Sequence, residues 1–222
     1  MKYYVLCGGE YGHETPRQLW RVGDECILDR TMRLLYEGAS YSDVIVVTNN
    51  KKIIDHCDIH SYQWTRNPRN TFSLKTGDLH WAKCFDIGDG TEPCCFIFGD
   101  VFFTENAIGR ILYDGTHRSA TFFASAPPFS GNYIKPWAEP FAFKVYDRYG
   151  FNKAVSQVLK WQDEGRYPRV PIAWEVWHAY CHDEVLRGVS DIDYGSVCAI
   201  NDGTCDVDNE ADLKKLNDIF AQ

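Results

Sequence analysis

Apolar and polar positions along the chain alternate between two periods. Tyr3-Tyr4-Val5-Leu6-Cys7 is an unbroken apolar run that predicts a buried strand, and Gly8-Gly9 ends it. Asp24 predicts an N-cap, after which Ile27, Leu28, Met32, Leu34 and Leu35 recur at helical spacing as far as about Glu37. Gly38 closes that segment, and 43–48 predicts a strand of the kind buried on both faces in parallel sheets. Strand, helix and strand in this order form a βαβ unit with a right-handed crossover.

The alternation continues with a helix over 70–85, a strand over 94–98, a short helix over 105–112 and a β-rich run over 119–124. Pro127, Pro128, Gly131, Pro136 and Pro140 punctuate a loop-rich stretch ahead of a strand over 141–146. Helices are predicted at 152–164 and about 174–186, a short strand near 197–200, and a last helix over 209–220. The expected fold is α/β: one domain, 1–222, doubly wound around a mostly parallel, mixed sheet sandwiched by helices, with a loop-rich insertion around 125–140.

Composition narrows the function classes. With 45% hydrophobic and 24% charged residues among 222, the chain is neither disordered nor fibrous. No stretch approaches the roughly 20 apolar residues of a membrane helix. The apolar run at 3–7 is shorter than the about 7 or more residues of a signal-peptide core, so a soluble, cytoplasmic protein without a membrane partner is expected. Nine cysteines, an odd number with no C-x-x-C spacing, fit a reducing compartment better than a disulfide framework. The net charge of −8 argues against a nucleic-acid partner. Residues 183–222 hold ten acids against Arg187, Lys214 and Lys215, which is −7 of that −8, and such a cluster suits a cation.

Three constellations carry candidate chemistry. The loop Gly8-Gly9-Glu10-Tyr11-Gly12-His13-Glu14-Thr15-Pro16-Arg17 follows the first strand, at the sheet edge where open α/β folds bind ligands. Its glycines let backbone N–H groups approach an anion, and Arg17 adds a charge suited to phosphate, although a plain glycine-rich turn gives the same pattern. Gly99-Asp100 follows the 94–98 strand at the same edge, where Asp100 reads as a metal-binding carboxylate or as a turn or capping residue. Asp206-Val207-Asp208-Asn209-Glu210-Ala211-Asp212 precedes and opens the last helix, so Asp208 reads as its N-cap or, with Asp100, as an oxygen ligand of Mg²⁺. His56-Cys57-Asp58-Ile59-His60 offers three metal donors but no fourth at a recognised spacing, so no zinc site is expected there.

Together these motifs resemble the GT-A-like nucleotidyltransferases, the family of sugar-1-phosphate nucleotidyltransferases and phosphocholine cytidylyltransferases. Leu6-Cys7-Gly8-Gly9 and Thr15-Pro16-Arg17-Gln18-Leu19 stand where that family has its opening glycine loop. Gly99-Asp100 matches its central G-D motif, Val207-Asp208-Asn209-Glu210-Ala211-Asp212-Leu213 its late acidic motif, and Ile134-Lys135-Pro136 its E-K-P segment. Tyr11 and His13 stand at the family's third glycine and arginine, Gly12 is displaced by one, and Arg17 replaces a lysine.

The resemblance implies a Rossmann-like fold and a Mg²⁺-dependent transfer of a nucleotidyl group from a nucleoside triphosphate to a phosphorylated small-molecule acceptor, with release of pyrophosphate. It implies nucleotide contacts at Leu6, Gly8, Gly9, Gly12 and Arg17, Mg²⁺ at Asp100 and Asp208, and catalytic roles for Arg17, Asp100 and Lys135, the last holding the acceptor phosphate. A sugar 1-phosphate leads as acceptor, within sugar nucleotide biosynthesis, and phosphocholine follows. Arg66, Arg69 and Asn70 are candidates for reading the base. A homodimer is compatible with the family, though no segment marks an interface. A GT-A glycosyltransferase and a non-catalytic nucleotide-binding domain are the alternatives, the second motivated by the acidic, shifted loop. Among the aromatic residues of the second half, Trp137 beside Pro136 is the one expected near a ligand, and the others are expected in the core.

Overall fold

The computed structural model describes residues 1–8, 14–67, 80–88, 90–115, 118–129 and 135–220. Its strands are β1 (Lys2–Leu6), β2 (Arg21–Val22), β3 (Glu25–Cys26), β4 (Val44–Val47), β5 (Trp64–Thr65), β6 (Cys94–Phe98), β7 (Val101–Phe102), β8 (Ala120–Ala124), β9 (Pro140–Val145), β10 (Cys198–Ala199) and β11 (Cys205–Asp206). Its α-helices are α1 (Ile27–Tyr36), α2 (Lys51–His60), α3 (Glu105–Tyr113), α4 (Arg148–Asp163), α5 (Ala173–His182) and α6 (Glu210–Phe220).

Seven strands form one sheet in the order β10-β8-β9-β6-β1-β4-β5. Pairings β1–β4, β1–β6, β4–β5 and β8–β10 are parallel, and β9 runs antiparallel to both β6 and β8. All five residues of β6 are buried, as a central strand covered on both faces requires. The α/β, mostly parallel architecture therefore stands as expected. β1, β4, β5, β6 and β8 all end at one edge, and reversed β9 begins there, so the segments that follow those strands and the segment that precedes β9 meet at that edge.

The core is dominated by aromatic rings. Phe122 and Phe143 stack with centroids 4.4 Å apart, Trp174 meets Phe122 edge-on at 4.8 Å, and Phe85 contacts Phe96, Phe143 and Phe151. Edge-to-face contacts of this kind add to the apolar area such rings bury. Trp161, Trp174 and Trp177 are buried while Trp137 is 56% exposed, which is the division expected of them. Two of the buried cations, Lys144 and Arg148, lie against this core. Lys144 of β9 donates to Leu112 O (2.8 Å) and Asp114 O (3.0 Å), satisfying carbonyls at the end of α3, and Arg148 lies over the Phe96 ring. A smaller apolar cluster of Val22, Ile27, Phe102, Cys205, Val207 and Leu216 joins the two ends of the chain.

Several boundaries differ from expectation. Asp24 lies in the turn of a β2–β3 hairpin, so Cys26 caps α1 instead, its Sγ accepting from the Asp29 N–H. Helix α4 starts earlier than expected because Asp147 Oδ1 accepts the Gly150 N–H and caps it there. Helix α5 stops at His182 because Asp183 turns left-handed, with φ 54°. Of the helix expected over 70–85, residues 70–79 lie outside the described residues, and Trp81–Phe85 is a short 3₁₀ helix.

Candidate active site

Local chemistry builds the site at the shared strand edge. Leu6 ends β1, and Gly99 turns directly beneath it, its N–H donating to Leu6 O at 3.0 Å. A Cβ at Gly99 would overlap Cys7 Sγ and come 2.9 Å from Leu6 O, so only glycine lets the β6–β7 turn approach β1 this closely. Asp100 follows and β7 then pairs antiparallel with β11, which sets Asp206 opposite Val101. The Val207 N–H donates to Asp100 O at 3.0 Å, so this ribbon carries the late acidic motif onto the central aspartate.

Arg17 lies on a short 3₁₀ helix, buried at 6% exposure, and divides its guanidinium between two carboxylates. Nη2 donates to Asp100 Oδ2 at 2.6 Å, while Nη1 donates to Asp208 Oδ1 at 2.7 Å and Val207 O at 3.2 Å. Lys135 is also buried, with Nζ 2.6 Å from Asp208 Oδ2, 2.7 Å from Glu139 Oε1 and 3.3 Å from Asp212 Oδ2. Glu139 Oε2 accepts from the Asp206 N–H at 3.1 Å, and Ser125 Oγ accepts from the Glu139 N–H at 2.8 Å. Asp212 Oδ2 accepts from the Asp208 N–H at 3.2 Å.

The four residues that sequence singled out for chemistry at this edge, Arg17, Asp100, Lys135 and Asp208, thus form one network. Leu6 and Gly8 lie at the end of β1, while Gly9 and Gly12, like Arg69 and Asn70, lie outside the described residues. The capping alternative for Asp208 does not hold: Asn209 Oδ1 accepts from the Ala211 and Asp212 N–H groups, leaving the Asp208 carboxylate to Arg17 and Lys135. Glu139, Asp206 and Asp212 were missed as site residues. Asp206 and Asp208 show the alternate spacing that puts two side chains on one face of a strand, and Asp208 and Asp212 are four apart. Glu139 stands four residues after Lys135, and nothing in its local pattern marks it as buried.

Five carboxyl groups (Asp100, Glu139, Asp206, Asp208, Asp212) face two cations (Arg17, Lys135), which leaves a surplus of negative charge. Burial pushes the Asp100 carboxyl up, against the pull of Arg17. Burial, with Asp100 and Asp208 close by, pushes Asp206 well up. Burial also acts on Asp208, but hydrogen bonds from Lys135 and Arg17 outweigh it and hold that carboxyl below its ordinary value. Lys135 titrates above its ordinary range because Asp206, Asp208 and Glu139 outweigh its burial.

A divalent cation suits this arrangement. Glu139, Asp206 and Asp208 each bring a carboxylate oxygen within 4.8 Å of the others, and Asp206 Oδ1 is buried with no hydrogen-bond partner among the described residues. Hard oxygen donors with surplus negative charge are what Mg²⁺ takes. An open cleft of about 570 Å³ lies nearby, lined by residues that include Thr15, Trp20, Glu210 and Lys214, but none of the network's side chains lines it.

Compared with known proteins, this arrangement of strands and helices has close counterparts. A crystal structure from Bacillus anthracis, described as a glucose-1-phosphate thymidylyltransferase in complex with a sucrose, superposes with a TM-score of 0.60 at 16% identity, covering 100% of this chain and 95% of that one. The chain shares the α/β fold of that structure. CTP:phosphocholine cytidylyltransferase from Streptococcus pneumoniae gives a TM-score of 0.55 at 16% identity, covering 98% of each chain. No family model and no curated protein sequence matches this chain. The shared fold thus extends over essentially the whole length of the chain. Among the described residues, no helix is long and apolar enough to cross a membrane.

Proposed function

We propose that this network is the catalytic centre of a nucleotidyltransferase that moves a nucleotidyl group from a nucleoside triphosphate to a phosphorylated small-molecule acceptor and releases pyrophosphate. The observation that carries the reading is the Arg17 guanidinium spanning Asp100 and Asp208 at the strand-end edge. Three segments far apart in sequence meet there, and their chemistry suits a polyphosphate and its counter-ion.

In this reading Asp100 and Asp208 hold Mg²⁺, with Asp206 the neighbouring carboxylate. When bound, the ion supplies charge neutralisation and Lewis acidity at phosphate oxygens. The acceptor phosphate is already a nucleophile, so the protein needs no strong general base and contributes alignment and charge. Arg17 faces the triphosphate and the pyrophosphate that leaves, and the backbone at Leu6 and Gly8 meets the nucleotide. Lys135 serves the acceptor phosphate by exchanging one of its carboxylate partners for it. Trp137 supports an acceptor on this side, since its exposed ring centroid lies 5.9 Å from Lys135 Nζ. A sugar ring stacks on such a surface and a choline headgroup is attracted to it, so a sugar 1-phosphate leads and phosphocholine follows. A cytoplasmic setting accords with nine cysteines that are all unbridged thiols.

Pyrophosphate release in Mg²⁺, with CTP, UTP, GTP, ATP and dTTP each paired with sugar 1-phosphates and with phosphocholine, tests the proposal. Release that requires one triphosphate and one acceptor is expected, and Asp100→Asn should lower kcat/KM by at least about 2 kcal/mol of transition-state stabilisation. An unchanged rate in that variant would remove Asp100 from the mechanism. A second reading, a non-catalytic nucleotide-binding domain, is favoured by the cations already seated on Asp208. A triphosphate that raises the melting temperature without any pyrophosphate release would select it.

A further inference from the structure

A second set of metal-type donors lies away from the network, where α1 meets α2. Cys26 Sγ and Asp29 Oδ1, from the first turn of α1, converge on His56 Nε2 of α2 at 3.8 Å and 2.7 Å. The three ligand atoms all lie within 4.8 Å of one another. Cys57 and Asp58, beside His56 in sequence, are not in this group. The partners of His56 come from 30 and 27 residues upstream, which is why spacing around 56–60 does not reveal them.

We propose that Cys26, Asp29 and His56 bind Zn²⁺, with His60 or water in the remaining position. Zinc bonds of about 2.3 Å to sulfur and 2.0–2.1 Å to nitrogen place tetrahedral ligand atoms roughly 3.3–3.6 Å apart. The Cys26–His56 separation of 3.8 Å is already near that spacing, and Asp29 and His56 must part by only about 0.6 Å to admit the ion. The paired spacings also suit zinc: Cys26 and Asp29 are separated by two residues, His56 and His60 by three. The His60 ring lies 4.3 Å from that of His56, one helical turn on.

The surrounding groups orient the donors. The Asp29 N–H donates to Cys26 Sγ at 3.4 Å and aims the sulfur into the cluster. The Tyr62 hydroxyl donates to Asp29 Oδ1 at 3.0 Å and fixes that carboxylate. Asp29 and His56 side chains each retain 19% exposure, which leaves an entry path, while Cys26 is buried at 3%. Binding releases the Cys26 S–H proton to solvent as the metal–sulfur bond forms, and the proton that His56 Nε2 donates to Asp29 moves to Nδ1 so that Nε2 can bind the metal; no electron is transferred. The ion would tie the first turn of α1 to α2, whose Lys52 Nζ donates to Glu14 O beside the glycine loop. The proposal does not depend on nucleotidyl transfer.

The test is titration of the reduced, metal-stripped protein with Co²⁺ and then Zn²⁺, followed by absorption spectroscopy and thermal melting. One equivalent of Co²⁺ is expected, with the visible bands of a tetrahedral ion and a thiolate-to-metal charge-transfer band, both displaced by Zn²⁺. Cys26→Ser keeps an N-cap for α1 and should abolish the charge-transfer band, and His56→Asn should weaken Zn²⁺ binding by at least about 10-fold. His178→Asn, on the other pair of histidines four apart, should change neither. No thiolate-to-metal charge-transfer band in the wild-type protein with Mg²⁺ in excess, or a band that survives Cys26→Ser and His56→Asn, overturns the proposal.

Discussion

At the scale of single residues, the decisive side chain is Arg17. A guanidinium can address two acceptors with separate N–H groups, which a lysine ammonium in the same place would do less well. Removing it leaves Asp100, largely buried, without its closest counter-charge, although Asp208 keeps Lys135 and partial exposure. Arg17→Met should therefore cost about 3 kcal/mol of stability, measurable by urea denaturation. If Mg²⁺ binds Asp100 and Asp208 as proposed, it competes there with Arg17 and should raise the melting temperature of this variant more than that of the wild type. Equal shifts would place the ion elsewhere. Away from the site, Asp202 makes a pH-dependent contribution. Burial pushes its carboxyl up, but hydrogen bonds from Thr104, Thr204 and Asn106 outweigh that and hold it below its ordinary value. Its stabilisation is thus fully present above about pH 3.9 and lost as pH falls through the lowered folded-state value. Asp202→Asn should cost about 1–2 kcal/mol at neutral pH, with the gap to wild type closing in acid melts. A gap that persists unchanged at low pH would assign the loss to packing.

At the scale of elements, the site depends on two short connections more than on any helix. The Gly99 turn sets Asp100 against the end of β1, and the β7–β11 ribbon sets Asp206 and Asp208 beside it. Gly99→Ala should cost about 1–3 kcal/mol through overlap with Cys7 and Leu6 and, under the proposed function, should lower pyrophosphate release as Asp100 is displaced. Denaturant midpoints beside pyrophosphate release check this, and a variant that matches wild type in both would show that the turn yields without disturbing the carboxylate. The β9 lead-in works similarly: Glu139 is tied to Ser125 by its backbone and to Lys135 and Asp206 by its side chain. One buried glutamate thus links the sheet to the acidic segment and to the lysine.

At the scale of the whole molecule, the site is an assembly of the two ends of the chain over the middle of the sheet. Asp208 lies 191 residues from Arg17, and α6 closes over the N-terminal hairpin through Leu216 with Val22, Ile27 and Phe102. Asn217 seals the join, accepting from the Gly23 N–H and donating to Arg21 O. The sequence by itself determined the α/β class and the sheet's main strands, because unbroken apolar runs and glycine stops are local signals, and it pointed to Arg17, Asp100 and Asp208 as candidates, with Lys135 added only by the family resemblance. Only the tertiary structure decided that Arg17 bridges those aspartates, that Glu139, Asp206 and Asp212 complete the network, and that His56 faces Cys26 and Asp29. The physical reason is common to all of these. A buried charge must find its counter-charge in space, and folding supplies partners without regard to their distance along the chain.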